Sequence, residues 1–303
     1  MTKILPENKI YSYNPNLTSV LCPTRNRPSQ LIAMMQSCLE KASNPSLIEF
    51  CLYIDNDDLS YDINKLFDIS ANIKIVRGPK MSLSSMFNSL LTVANGEYFF
   101  WSGDDVSFQS AYWDESLKMP LIGVSDRLGV VHANDLASYE QKYATIGMVH
   151  YNWVALYGYV FTPHMKDNGI DFWISEVARK AQRLFYCPEV KIEHLQYRQG
   201  KSVNDETYQA RRKNHETYDL IELYRNGKSE RRRDSLLLLQ KLSKPSDLCK
   251  GFLISGIYSK IKLKFDKDYI TSNKFVYLNS ISDLNLIRKV FRKILLLPPP
   301  KIS

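Results

Sequence analysis

Apolar positions along this chain follow two rhythms, and through the first hundred residues the rhythms alternate. "LTSVLCP" (17–23) is a short apolar run closed by proline, the pattern of a buried strand. "PSQLIAMMQSCLEKA" (28–42) opens with proline and then spaces its apolar residues three and four apart, which predicts a helix. "LIEFCLYI" (47–54) and "NIKIV" (72–76) predict the second and third strands. "SLSSMFNSLLTVA" (82–94) predicts a helix capped by Ser82, and "EYFFWS" (97–102) a fourth strand. Such repetition implies an α/β fold, a Rossmann-like, mostly parallel sheet flanked by helices.

Parallel sheets of this kind bind ligands at the carboxyl ends of their strands, so the polar residues just after each strand matter most. They are Thr24, Arg25, Asn26 and Arg27 after the first strand, and Asp55, Asn56, Asp57 and Asp58 after the second. Arg77, Gly78, Pro79 and Lys80 follow the third, and Ser102, Gly103, Asp104 and Asp105 the fourth. Basic groups suit a diphosphate. A carboxylate suits the N–H of a pyrimidine or a ribose hydroxyl, and a second acidic cluster suits a divalent cation bridging phosphate oxygens. Asp104 and Asp105, side by side, repel each other unless a cation lies near them. The edge describes a nucleotide-diphosphate site.

The second half adds further candidates. "GIDFWISEVARKAQRLF" (169–185) predicts an amphipathic helix with Phe172, Val177, Ala181 and Leu184 toward the core. Asp171 falls near its N-terminus, where negative charge is favoured, and by itself also reads as a plain cap. His194 ends the short strand of "VKIEHLQ"; His150 and His164 flank the apolar "YNWVALYGYVF" and are assigned no more than nearness to the acceptor side. Trp113 and Trp173 offer planar apolar faces that match the C–H side of a pyranose, although buried aromatics are commoner.

Charge changes the picture beyond residue 200. The net charge is +8, yet the last 63 residues alone carry 13 Lys and Arg against 4 Asp, so the remainder is near neutral. This predicts a near-neutral catalytic module with a basic attachment segment. "DETYQARRKNHETYDLIELYRN" (205–226) reads as a charged helix, and "GKSERRRDSLLLLQKL" as a basic turn followed by an apolar patch. In "SDLNLIRKVFRKILLLPPPK" (282–301), Leu284, Ile287, Phe291, Ile294 and Leu295 take one face and Arg288, Lys289, Arg292 and Lys293 the other. Such a helix suits an anionic membrane surface, or equally packs on its own domain. The five cysteines contain no C-x-x-C pair and read as reduced, buried thiols. With no apolar leader at the start, the expected location is cytoplasmic, with the tail resting on the inner membrane leaflet.

"SVLCPTRNRP", "YIDNDD" and "GEYFFWSGDD", in that order and spacing, resemble the nucleotide-sugar half of a family-2-type glycosyltransferase with the GT-A fold, in a subgroup common in phage and bacterial genomes. "WDESL", "IDFWISEVARKAQRLFY" and "VKIEHL" continue the likeness over roughly residues 17–220. The resemblance implies a GT-A domain over 1–200, with its nucleotide-sugar half at about 17–110 and its acceptor half at about 111–200. A charged helical segment (201–240) and a basic, mainly helical C-terminal extension (241–303) follow.

Carried onto this sequence, the resemblance lines the nucleotide sugar with Pro23, Thr24, Arg25, Asn26, Asp55, Arg77, Gly78, Asn88 and Asp104. Asp55 is the carboxylate that recognises a uracil-type base. Asp104 and Asp105 match the acidic end of a D-x-D motif holding Mn2+ or Mg2+, with His194 near the metal and diphosphate. Asp171 matches the general base, and Trp113 and Trp173 are placed on the acceptor side. Ser102 departs from the pattern, since many members carry an acid there.

What the resemblance implies is metal-dependent, inverting transfer from a UDP-type nucleotide sugar to a saccharide or lipid-linked acceptor. Two other readings stay open: the same chemistry on a modified nucleic-acid base, with the basic tail gripping phosphates, or a non-catalytic protein that binds sugar nucleotides or carbohydrate. A nucleotidyltransferase is disfavoured, because "CPTRNRP" lacks a glycine-rich phosphate cradle.

Overall fold

The computed structural model describes residues 13–70, 72–136, 142–167, 169–195 and 225–242. Its first half alternates strands and helices as the periodicity predicts: β1 (Asn14–Thr24), α1 (Pro28–Lys41), β2 (Ile48–Asp55), α2 (Ile63–Ile69), β3 (Ile73–Gly78), α3 (Leu83–Leu90) and β4 (Gly96–Trp101). The second half contributes β5 (Val106–Phe108), α4 (Trp113–Ile122), β6 (Val130–Asn134), β7 (Gly147–His150), α5 (Tyr151–Tyr157), α6 (Ile170–Lys180), β8 (Leu184–His194) and α7 (Lys228–Lys241).

Eight strands form a sheet in the order β3-β2-β1-β4-β7-β6-β8-β5. β1 pairs in parallel with both β2 and β4, and β2 pairs in parallel with β3. β7 runs against β4 and β6, and β5 against β8. β6 and β8 pair in parallel, so six of the eight strands share one direction in a sheet flanked by helices, the α/β architecture that the sequence predicts.

Alternation along the strands divides the core in two. Val20, Phe50, Leu52 and Phe100 face α1 and α4, meeting Leu31, Met34, Met35, Cys38, Trp113 and Leu117. Leu21, Tyr53, Phe99 and Trp101 face the other way and meet Phe87, Trp153, Trp173, Ile174 and Val177 of α3, α5 and α6. Because both faces are covered, every residue of β2 and β4 is buried, Glu49 and Glu97 included, and apolar residues follow one another at 50–54 and 98–101.

Three expectations shift. The Ser82-capped helix ends at Leu90 rather than continuing to Ala94, and residues 91–93 form a turn. "KSERRRDSLLLLQK" is one continuous helix, α7, rather than a basic turn and an apolar patch. Leu238 and Leu242 join the second core, so that core does not stop at residue 200. The proposed helix at 282–301, and that at 205–226 except for its last two residues, lie outside the described residues. Cys22, Cys38, Cys51 and Cys187 are buried free thiols, as expected.

Candidate functional site

Because β1, β2, β3 and β4 are parallel, their last residues collect at one edge of the sheet, and hydrogen bonds tie the four following loops together. Thr24 ends β1 and donates from Oγ1 to Asp104 Oδ2 at 2.7 Å. With that proton committed, the Tyr61 hydroxyl donates back to Thr24 Oγ1 at 2.5 Å and accepts the Arg27 N–H at 3.1 Å. Asp58 accepts from the Asn26 N–H at 2.7 Å and from the Ser60 N–H and hydroxyl at 3.0 and 2.6 Å. Although burial opposes ionisation, these bonds hold the Asp58 carboxyl below the usual carboxylate range.

The third loop is held as tightly. Gly78 O accepts from the Asn56 N–H at 2.7 Å, and Pro79 O from the Tyr53 hydroxyl at 2.7 Å. A Cβ at position 78 would stand 2.1 Å from Tyr53 Oη, so only glycine fits. Arg77 is exposed and donates to Asp58 O at 3.0 Å.

Asp55, at the end of β2, is 1% exposed. Its Oδ2 accepts from Arg25 Nη1 at 2.7 Å, while its Oδ1 is buried with no hydrogen-bond partner. Arg25 also grips Asp57 with two bonds, at 2.5 and 2.8 Å. The guanidinium fixes one oxygen of Asp55 and leaves the other an acceptor without a donor.

The cation near the acid pair is Arg27. Its Nη1 lies 3.0 Å from Asp104 Oδ1 and 3.6 Å from Asp105 Oδ2, with all three side chains under 10% exposed. Burial, and then repulsion from Asp105, still pushes the Asp104 carboxyl up to about 6. Asp105 turns its Oδ1 to His194 Nε2 at 3.4 Å, and Val106 pairs with His194 across β5 and β8. A side chain at Gly103 would place its Cβ 2.5 Å from Asp105 Oδ1. Ser102 is buried and bonds its own loop, Oγ to Gly103 O at 2.8 Å.

Among the described residues no three His, Cys, Asp or Glu side chains make a ready metal site. Asp104 bonds Thr24 and Arg27, and Asp105, near Arg27 as well, pairs with His194. Neighbouring ligands on an octahedral ion at about 2.1 Å stand about 3 Å apart, close to this pair's separation, and O and N donors suit Mn2+. The two residues fit such an ion.

Asp171 lies in the first turn of α6, after Gly169 in the left-handed region at φ 82°. The loop before it is tied to the start of α3: Leu83 N–H donates to Asp167 Oδ1 at 2.8 Å and Ser84 N–H to Lys166 O at 2.9 Å. The base of α6 is thereby joined to the helix that follows the Gly78 loop.

Several assignments need correction. Asn88 is fully used inside the protein, donating to Phe161 O at 2.7 Å and accepting from the N–H groups of Val160 and Phe161. Trp113 is 0% exposed, wedged against Phe100 and Phe108, with Nε1 donating to Cys38 O at 3.0 Å. Trp173 is 3% exposed, its Nε1 bound to Asp234 Oδ2 at 2.9 Å, with His164 stacked on it and Arg231 over its ring. Neither tryptophan has a face for a sugar. Phe172 lies outward at 41% exposure, because Ile170, Trp173, Ile174, Val177 and Ala178 form the inward face of α6. His150 is buried, bonds Glu97 at 3.1 Å and caps α5 by accepting the Asn152 N–H. Pro23 is a half-buried strand residue opposite Tyr53, and Asn26 is exposed at φ 53°.

No protein family and no curated protein matches the sequence. Among solved structures, a crystal structure of S. aureus TarS is similar over 58% of this chain at 15% identity and a TM-score of 0.43. The chain spans 36% of that structure's length. A crystal structure of S. aureus TarS 1–349 is similar over 86% of this chain and 76% of its own, at 12% identity and a TM-score of 0.48. Likeness of this extent leaves the chemistry of the site to its own residues.

Proposed function

We propose that this chain is a glycosyltransferase that takes its sugar from a UDP-type nucleotide sugar and moves it, with inversion, to a hydroxyl of a saccharide or lipid-linked acceptor. The observation that carries the reading is Asp55 Oδ1, a buried carboxylate oxygen with no donor at the end of β2. Leaving such a group unpaired costs about 1–3 kcal/mol, which a ligand N–H in the site recovers. A pyrimidine with a ring N–H supplies that donor.

Arg25, Arg77 and Lys80 provide positive charge along the same edge for the diphosphate. Asp105 and His194 would hold a divalent ion, Mn2+ or Mg2+, and that ion would supply charge stabilisation for the leaving diphosphate. Thr24 and Arg27 keep Asp104 in place and hold the acid pair together. Asp171 takes the proton from the acceptor hydroxyl as its oxygen bonds to the anomeric carbon and the carbon–diphosphate bond breaks, so configuration inverts. Among the described residues no helix is long and apolar enough to cross a membrane.

The test is a thermal-shift titration with UDP, GDP, dTDP and CMP in Mn2+, repeated on Asp55→Ala. UDP should stabilise the wild type most, and Asp55→Ala should weaken UDP about tenfold or more, the usual weight of a hydrogen bond to a charged group. Equal binding of GDP and UDP by the wild type contradicts the assignment.

A further inference from the structure

Helix α6 carries two neighbouring aromatic residues and turns them opposite ways. Trp173 goes inward, while Phe172 stays 41% exposed with its ring against Tyr143, centroids 3.8 Å apart and planes at 33°. A tilted aromatic pair with open area on one ring is an exposed apolar surface.

A run of contacts leads from the acid pair to this surface. Asp105 meets His194 at 3.4 Å, and the His194 N–H donates to Asp135 O at 3.2 Å. Asp135 Oδ2 accepts from Thr145 Oγ1 at 2.6 Å. Tyr143 lies two residues earlier, and between them the Ala144 N–H donates to Ser175 Oγ of α6 at 2.8 Å. On the other side, Phe172 directly follows Asp171 and donates its N–H to Asp171 Oδ1 at 3.0 Å. The aromatic pair is thus connected through these contacts to His194 on one side and to Asp171 on the other.

We propose that Phe172, backed by Tyr143, is the platform on which a pyranose ring of the acceptor stacks, with a ring hydroxyl directed to Asp171. The proposal rests on the glycosyltransferase reading of Asp171. One face of a pyranose is a patch of C–H groups while its hydroxyls project from the rim. A phenyl ring therefore takes up the apolar face and leaves the rim free to reach a carboxylate one residue away. Phe172 has no polar atom, so it positions the ring and does not choose among hydroxyls. The Arg179 guanidinium, 5.9 Å from the Tyr143 ring centre, lies over the supporting ring.

The experiment is saturation-transfer NMR on the full chain with methyl β-glucopyranoside, methyl β-galactopyranoside and methyl N-acetyl-β-glucosaminide. Wild type, Phe172→Tyr and Phe172→Ala are compared, with a UDP thermal shift run on each. Phe172→Ala should weaken at least one glycoside about three- to tenfold, from the weight of an aromatic contact, while Phe172→Tyr retains it. The UDP shift should match the wild type in both variants, and Phe172→Tyr should also keep the melting temperature, whereas a merely structural role for the ring would leave glycoside binding unchanged in Phe172→Ala. Unchanged glycoside binding in Phe172→Ala overturns the proposal. So does the absence of glycoside binding in every variant, or a Phe172 dependence that appears only with an oligothymidine or a decyl chain. If UDP fails to bind while glycoside binding still needs an aromatic ring at 172, the donor reading falls and the platform stands.

Discussion

Replacing Arg27 with methionine keeps most of the aliphatic volume and deletes the guanidinium that faces both Asp104 and Asp105. Its Nη1 lies 3.0 and 3.6 Å from the two carboxylates. With an effective dielectric of about 20, each contact is worth about 5 kcal/mol of attraction, much of it offset by desolvating the guanidinium. Removing one partner of such a buried group costs about 3–5 kcal/mol, because uncompensated charge remains. Here the lower end applies. Asp104 already titrates at about 6, so at pH 7.5 the site relieves itself by taking up a proton for about 2 kcal/mol. Arg27→Met should therefore lose about 3 kcal/mol, a fall of about 6–12 °C in Tm, measured by urea and thermal unfolding without ligand. The loss should shrink below pH 6, where Asp104 is protonated in the folded state and needs the cation less. A loss under about 1 kcal/mol, or one equal at pH 5 and pH 7.5, would refute the role given to Arg27.

Asp171→Asn keeps size and most hydrogen bonding but takes no proton, so kcat should fall about 10²–10⁴-fold with UDP affinity unchanged; transfer at the wild-type rate removes Asp171 as the base. Asp104 gives a second signature in pH. Its folded-state carboxyl, at about 6, lies above the ordinary value near 3.8, so its contribution to stability is full at low pH and fades as pH rises from about 4 through about 6. Chemical denaturation of wild type against Asp104→Asn should show that gap opening on acidification, and a gap independent of pH would contradict the burial argument. His194→Ala should raise the Mn2+ concentration needed for donor turnover at least tenfold; an unchanged requirement separates His194 from the metal.

The first half of the fold was legible because each of its strands carries a short, mostly apolar stretch closed by a proline, a glycine or acids. Those closing residues are the site. Thr24, Asp55, Gly78, Asp104 and Asp105 sit together because four parallel strands end at the same edge. The second half was harder to read. β5, β6 and β7 have only three to five residues each, too few to show a period, and two of the eight strands run against the rest. The errors on α6 come from phase. Asp171, Phe172 and Trp173 are consecutive, and only the start of the helix at Ile170 decides that tryptophan enters the core while phenylalanine stays outside. Arg27 was visible as a charge beyond β1, yet its place between two aspartates depends on a contact 77 residues away in sequence. Tyr61, in a loop with no periodic signal, is positioned by its hydrogen bonds to Thr24 and Arg27 and by burial in the first core. Asn88 shows the converse, a polar residue on a helix whose amide is spent on the backbone of Val160 and Phe161.

The most direct test of the donor site is a crystal structure of the protein with UDP and Mn2+, using anomalous scattering to locate the ion. The account predicts a manganese peak bound by Asp105 and His194, diphosphate oxygens on that ion, and the uracil ring N–H donating to Asp55 Oδ1. A uracil ring away from Asp55, or an ion bound without Asp105, would contradict it.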